Sequence, residues 1–286
     1  MRDEHPLPGT DHVVDGVRLH VVHHGSGSGL PVLLLHGMPT SSYLWRDVQR
    51  DLGHGHRTYA PDLVGLGSSE RPADGRYDFS AQAALLLALA DELGLSRFAV
   101  VGHDIGGGVA VHLTALARDR VAALVLMDTP LYAELWPVPL VKYALGTPWV
   151  GEAQTLLLRS VRPLGVAVLK SQLDKGLRAT ELTPKVVDHY VSVPLSADGA
   201  RGTINLVRSF DPEATEAAFS VVCADPPPTL VLWASDDAWF STAVGRRVAG
   251  DVKGASYVEV ADAGHFLPED RPERVAEEIE GFLAEL

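Results

Sequence analysis

The feature that most restricts how this chain can fold is a turn. A short apolar run, residues 98–101, passes through Gly102-His103-Asp104-Ile105-Gly106 straight into a helical pattern over 105–117. No residues are left for a connecting loop, so strand and helix must pack closely where they meet. Glycines two positions either side of Asp104 permit that approach, because a Cβ there would clash. A strand–turn–helix of this spacing presents its central side chain at the top of a sheet. Glycine-rich turns of this kind also bind phosphates. A carboxylate at the centre would repel a phosphate, so Asp104 points instead to a reactive group.

The same alternation runs through most of the chain. Residues 17–22, 31–35, 58–60, 121–127, 229–233 and 257–260 read as short strands, and 79–93 and 271–286 as helices. Gly94 stops the first of these helices. Strands alternating with helices predict an α/β protein with a mostly parallel central sheet flanked by helices. After Pro130 the rhythm is lost. Residues 131–216 show no clear strand, several prolines, and helical stretches at 153–159 and 184–191. The simplest organisation is a core of residues 1–130 and 217–286, with 131–216 as an inserted helical cap over the strand ends. There is no internal repeat, and the Gly-Ser turn at 25–29 is the one low-complexity tract.

Composition narrows the function classes. With 286 residues, 46% hydrophobic and 21% charged, the chain can bury a substantial core. Its net charge of −13 argues against nucleic acid and anionic membranes as partners. The acidic, proline-bearing start is unlike a signal peptide, and the apolar run at 83–90 is too short to span a bilayer. A single cysteine, Cys223, excludes an intramolecular disulfide and suits a reducing compartment. The expectation is a cytoplasmic monomer or homodimer that acts on a small molecule.

Two further residues stand where a nucleophile at Asp104 would need them. Asp237 follows the strand at 229–233, and His265 follows the strand at 257–260, giving the chain order nucleophile, acid, histidine. A loop aspartate or histidine is by itself usually a solvated surface residue; three at the ends of three separate strands point to a triad. Asp128, after the strand at 121–127, is the alternative acid, although an aspartate before Pro130 also serves as a turn cap. In His36-Gly37-Met38-Pro39, the backbone N–H of Met38 is placed to join that of Ile105 in an oxyanion hole. His36 and His103 read as loop-holding residues. His23, His24, His54 and His56 read as surface residues without metal-ligand partners, so no metal is expected.

The carboxylate decides the chemistry. An unperturbed aspartate has a pKa near ~3.9 and is ionised at neutral pH. Attack on an ester carbonyl would give a high-energy anhydride, whereas attack on a saturated carbon gives an ordinary alkyl ester. That selects epoxide opening or halide displacement, followed by hydrolysis of the Asp104 ester by water that His265 activates. Neither step needs a cofactor.

These residues resemble the epoxide hydrolase and haloalkane dehalogenase branch of the α/β-hydrolase superfamily. The likeness covers His36-Gly37-Met38-Pro39, Pro61-Asp62-Leu63-Val64-Gly65-Leu66-Gly67, the Asp104 turn, and the Asp237 and His265 loops; it fades through the insertion. It implies the α/β-hydrolase fold with a cap that forms the substrate pocket. Dehalogenases of this kind generally hold the halide with an indole N–H directly after the nucleophile, where this chain has Ile105. One branch adds an asparagine where this chain has Met38. Trp136 or Trp149 from the insertion would have to substitute. Epoxide hydrolases use cap tyrosines to protonate the opening oxygen, and Tyr190, Tyr143 and Tyr132 all lie in the insertion, Tyr190 foremost. Epoxide hydrolysis is therefore the leading reading, dehalogenation the second. A non-catalytic small-molecule binding protein is the third.

Overall fold

A computed structural model describes residues 4–73, 75–135 and 145–286. Eight strands form one sheet: β1 (Gly9–Val14), β2 (Val17–His24), β3 (Val32–Leu35), β4 (Thr58–Pro61), β5 (Phe98–His103), β6 (Val121–Met127), β7 (Thr229–Ala234) and β8 (Ser256–Val260). Their order is β1-β2-β4-β3-β5-β6-β7-β8. The pairs β1–β2 and β2–β4 are antiparallel, and every other pair is parallel. β1 and β2 form a hairpin around Asp15-Gly16, whose positive φ values of 48° and 78° suit a two-residue turn.

The central strands are buried on both faces, as parallel strands between helices must be. On one face Leu33, Leu35, Val100, Leu124, Leu126 and Val231 pack against α2 (Phe79–Glu92), α3 (Ile105–Leu116) and α9 (Thr242–Asp251). On the other, Val32, Leu34, Val101, Val125 and Leu232 pack against α1 (Arg46–Leu52) and α11 (Pro272–Ala284). The side chain of Asp78 caps α2 by accepting the N–H of Ala81.

Between β6 and β7 the described residues contain helices and no strand: α4 (Val150–Ser160), α5 (Arg162–Lys175), α6 (Pro184–Ser192), α7 (Ala197–Arg208) and α8 (Pro212–Ala224). A third apolar cluster joins them to the core, in which Leu173, Leu182, Val186, Val187 and Val191 close over Tyr43 and Phe266. A short helix, α10 (Leu267–Asp270), follows the last strand's loop. No helix among the described residues is long and apolar enough to cross a membrane.

Candidate active site

The loops that leave β3, β5, β6, β7 and β8 meet at the carboxyl ends of the parallel strands, where open α/β sheets form their clefts. Asp104 joins β5 to α3 with φ 52° and ψ −127°, a conformation that costs a non-glycine residue strain. Its neighbours show why glycine surrounds it. A Cβ on Gly106 would lie 2.3 Å from the carbonyl oxygen of Leu35, and one on Gly102 would lie 2.5 Å from that of Gly106. A Cβ on Gly37 would stand 2.4 Å from the Cβ of Asp104 itself. The turn is locked by Asp104 N–H donating to Met127 O and by Gly107 N–H donating to Asp104 O, at 3.1 and 3.0 Å.

The two oxygens of Asp104 have different surroundings. Oδ1 accepts the N–H of Met38 at 2.9 Å, and the N–H of Ile105 also bonds the carboxylate. Oδ2 faces Nε2 of His265 at 3.6 Å. The other ring nitrogen of His265, Nδ1, donates to Asp237 Oδ2 at 2.8 Å. Asp237 Oδ1 in turn accepts the N–H groups of Trp239 and Phe240 at 2.7 and 3.0 Å. Asp104, Asp237 and His265 are thus brought together, with Met38 and Ile105 supplying two backbone donors.

Charge in this cluster is mutually reinforced. Burial opposes protonation of His265, but the carboxylates of Asp237 and Asp104 outweigh it and raise its pKa to about 10. For Asp104 burial acts upward, while His265, His103 and the Ile105 amide together hold it below the usual value. The resting site is a carboxylate–imidazolium–carboxylate row. Such an arrangement can present an ionised nucleophile, and a base as soon as one negative charge is removed.

A family model described as alpha/beta hydrolase fold matches residues 31–272. The chain belongs to the α/β-hydrolase fold family. Within that family it is a hydrolase of the haloalkane dehalogenase and epoxide hydrolase branch. It is 30% identical over 280 residues to haloalkane dehalogenase 2 of Mycobacterium tuberculosis, covering 92% of this chain and 90% of that one. It is 29% identical over 285 residues to the soluble epoxide hydrolase of Corynebacterium sp., covering 96% of each. The crystal structure of haloalkane dehalogenase DbeA from Bradyrhizobium elkani matches it with a TM-score of 0.82 at 27% identity, covering 97% of both chains. The relatives are enzymes, which removes the binding-protein reading.

Three other histidines of this hydrolase have structural tasks. His36 donates through Nδ1 to Gly37 O at 2.8 Å and accepts the Leu63 N–H on Nε2 at 3.0 Å, which fixes the loop carrying Met38. His103 donates through Nε2 to the carbonyl of His265 at 2.7 Å. Burial and the adjacent His265 push the His103 pKa down to about 4, so it stays neutral. His56 departs from the surface role expected of it: it is buried and donates through Nδ1 to Leu30 O at 2.7 Å. The expectation for Cys223 fits, since burial and Asp251 raise its pKa to about 11 and leave it an unreactive thiol.

The residues named from the insertion fare differently. Tyr190 is buried on α6, but its hydroxyl proton goes to Glu269, which also takes a bidentate pair from Arg46, with Nη2 donating to Oε2 at 2.8 Å. Tyr132 gives its proton to Asp251 at 2.8 Å and packs edge-on against Phe219. A phenol has one proton, so neither hydroxyl is free to serve Asp104. Trp149 is 85% exposed and so is no buried halide donor. Tyr143 and Trp136 lie outside the described residues.

Two groups near the site escaped the sequence reading. Trp239 packs edge-on against the His265 ring, with centroids 4.9 Å apart. Asp270, fully buried, accepts the N–H groups of Gly264, Arg178, Ala179 and Thr180 at 2.8, 2.8, 3.0 and 2.8 Å. One carboxylate thereby ties the His265 loop to the turn after α5. The only signal for it was its position five residues past His265.

Proposed function

We propose that this hydrolase opens an epoxide to a diol through an alkyl ester on Asp104, with no cofactor. The observation that carries the covalent route is the split environment of Asp104, with Oδ1 on the Met38 amide and Oδ2 towards His265. Oδ2 attacks the less hindered ring carbon while the C–O bond breaks and the freed oxygen takes a proton. Esterification removes the charge of Asp104 and with it part of what keeps His265 protonated, so that its Nε2 proton passes to solvent and leaves a free base. His265, oriented by Asp237, then deprotonates a water that attacks the Asp104 carbonyl carbon. The Met38 and Ile105 amides stabilise the oxyanion, and as it collapses the Cγ–Oδ2 bond breaks and the proton that His265 took from water passes to the departing oxygen, releasing the diol.

The leaving group is argued from side chains beside the nucleophile. A departing halide is an ion that needs donors in a buried site, each charge-assisted hydrogen bond being worth roughly 1.5–3 kcal/mol. Ile105 and Met38 offer none from their side chains. An epoxide oxygen stays attached to the product and needs one proton instead. Of the three tyrosines considered, Tyr143 remains the candidate for that acid, because the protons of Tyr190 and Tyr132 are committed elsewhere. Residues 131–216 would act as the cap over a core of 1–130 and 217–286. A cytoplasmic location is supported by the single cysteine.

Dehalogenation of an alkyl halide by the same ester is the second reading, favoured by the 30% identity to a haloalkane dehalogenase. A panel of epoxides and haloalkanes separates the two. Diol formation without halide release supports the first, and halide release supports the second. A His265→Gln protein that never gains the mass of a substrate on Asp104 from either panel would overturn the shared covalent route.

A further inference from the structure

Asp128 sits at the end of β6 with φ 43°, fully buried, in the row of carboxyl groups behind His265. Its Oδ1 accepts the N–H of Ala234 at 2.9 Å, three residues before Asp237. Its Oδ2 is buried and meets no N–H or O–H donor among the described residues. The end of the neighbouring strand carries Asp237, whose side chain is buried as well, and the two carboxyl groups act on each other's charge. Two buried carboxyl groups so placed do not readily both carry charge, so the pair is expected to hold a proton.

The donors decide which of the two holds it. Asp237 receives three, the N–H groups of Trp239 and Phe240 and Nδ1 of His265. Asp128 receives one. The charge therefore belongs on Asp237 and the proton on Asp128. We propose that Asp128 is a positioning residue: a neutral carboxylic acid whose Oδ2–H donates to Asp237 and sets how strongly Asp237 holds His265. Burial first, and the charge of Asp237 second, act in the direction this requires, raising the Asp128 pKa well above the usual range.

The hydrogen bond has a consequence for turnover. It draws charge away from Asp237 and so weakens the hold of Asp237 on the imidazolium. His265 is faced by Asp104 from the elbow, His103 from β5, Asp237 after β7 and Asp128 after β6. Lys175, at the end of α5, lies over Trp239, whose ring meets His265. Tyr257 on β8 also feels Asp128. Asp128 is the member of this set that moderates the negative side without adding a charge. It thereby helps His265 to release its proton once Asp104 is esterified.

The inference rests on the Asp237–His265 pair proposed above, and its first test needs no substrate. Infrared spectra of the wild-type enzyme, with isotope-labelled aspartate, should show the carbonyl stretch of a protonated aspartic acid at pH 7. Asp128→Asn should abolish that band. A wild-type protein without the band overturns the proposal whatever the enzyme turns over. The second test is the pH profile of ester hydrolysis, whose acid limb reports His265. Asp128→Asn retains an acceptor for Ala234 and an N–H for Asp237, so its acid limb should stay in place and its rate fall less than about tenfold. Asp128→Leu removes the donor, and its acid limb should move to higher pH. Asp128→Asn as impaired as Asp237→Asn, or an unmoved limb in Asp128→Leu, would refute it. Should the leucine variant not fold, the infrared band decides.

Discussion

Replacing Asp270 by alanine measures how much of the structure around His265 depends on one side chain. Its carboxylate is fully buried and holds four amide donors at 2.8–3.0 Å, from Gly264 in the histidine loop and from Arg178, Ala179 and Thr180 after α5. Alanine leaves all four without an acceptor. An orphaned buried donor costs about 1–3 kcal/mol; only the Gly264 bond is buried, and at the partly buried amides of Arg178, Ala179 and Thr180 water recovers much of the loss. The expected loss is therefore about 2–4 kcal/mol, a sizeable share of the ~5–15 kcal/mol that typically holds a domain together. Asn at this position keeps one acceptor and turns an N–H₂ towards the other two amides, so it should lose about half as much. Equilibrium unfolding in urea gives both values, and turnover measured below the transition reports on His265. A loss under about 1 kcal/mol for Asp270→Ala, or equal losses for the two variants, would refute the assignment of these amides to the carboxylate.

Three other outcomes follow from the site. His265→Gln should allow alkylation but slow ester hydrolysis by roughly 10²–10⁴-fold, the range for losing a general base, so an adduct on Asp104 should accumulate in the intact mass. Gly37→Ala places a methyl 2.4 Å from the Cβ of Asp104. Displacing that carboxylate by about 1 Å should cost on the order of 10²-fold in kcat with the fold retained by circular dichroism. His265 has its pKa raised from 6.5 to about 10, so its contribution to stability is complete below about pH 6.5 and is lost as pH rises through about 10. Urea midpoints of the wild-type protein should decline over that window, and those of His265→Gln should decline less.

Much of the candidate site could be read from the sequence because its residues lie within a few positions of the end of an apolar run. Asp104, Asp237 and His265 were found by their place after β5, β7 and β8, and β6 was bounded correctly at both ends. β1 was missed because it is an edge strand whose side chains are mostly exposed, so Gly9–Val14 lacks an apolar signature. The Asp15-Gly16 turn behind it was the available signal. α7 was not singled out within the insertion because Gly199 and Gly202 lower its helix propensity. Gly202 is needed there, since a Cβ would lie 2.5 Å from the carbonyl oxygen of Gly65. The directions of side chains were not legible. That Tyr190 would be buried on a helix follows from its periodicity, but that its hydroxyl would turn to Glu269 depends on a residue 79 positions away. The four amides of Asp270 are likewise joined only by the finished fold.

The unequal settings of Oδ1 and Oδ2 have a consequence for the bookkeeping of atoms. With Oδ1 held by the Met38 amide, the side chain cannot exchange its two oxygens during a cycle, and only Oδ2 is offered to substrate. On the proposed route the bond that breaks in the second step joins Oδ2 to the Asp104 carbonyl carbon. The oxygen that leaves on the product is then one that began in the protein, and the one that replaces it comes from water. In ¹⁸O-enriched solvent the first turnover would label Asp104 and leave the product's new oxygen unlabelled; from the second turnover on the product would carry the label too, while Asp104 stays labelled. Asp104 is in that sense a reagent, used up and remade once per molecule converted.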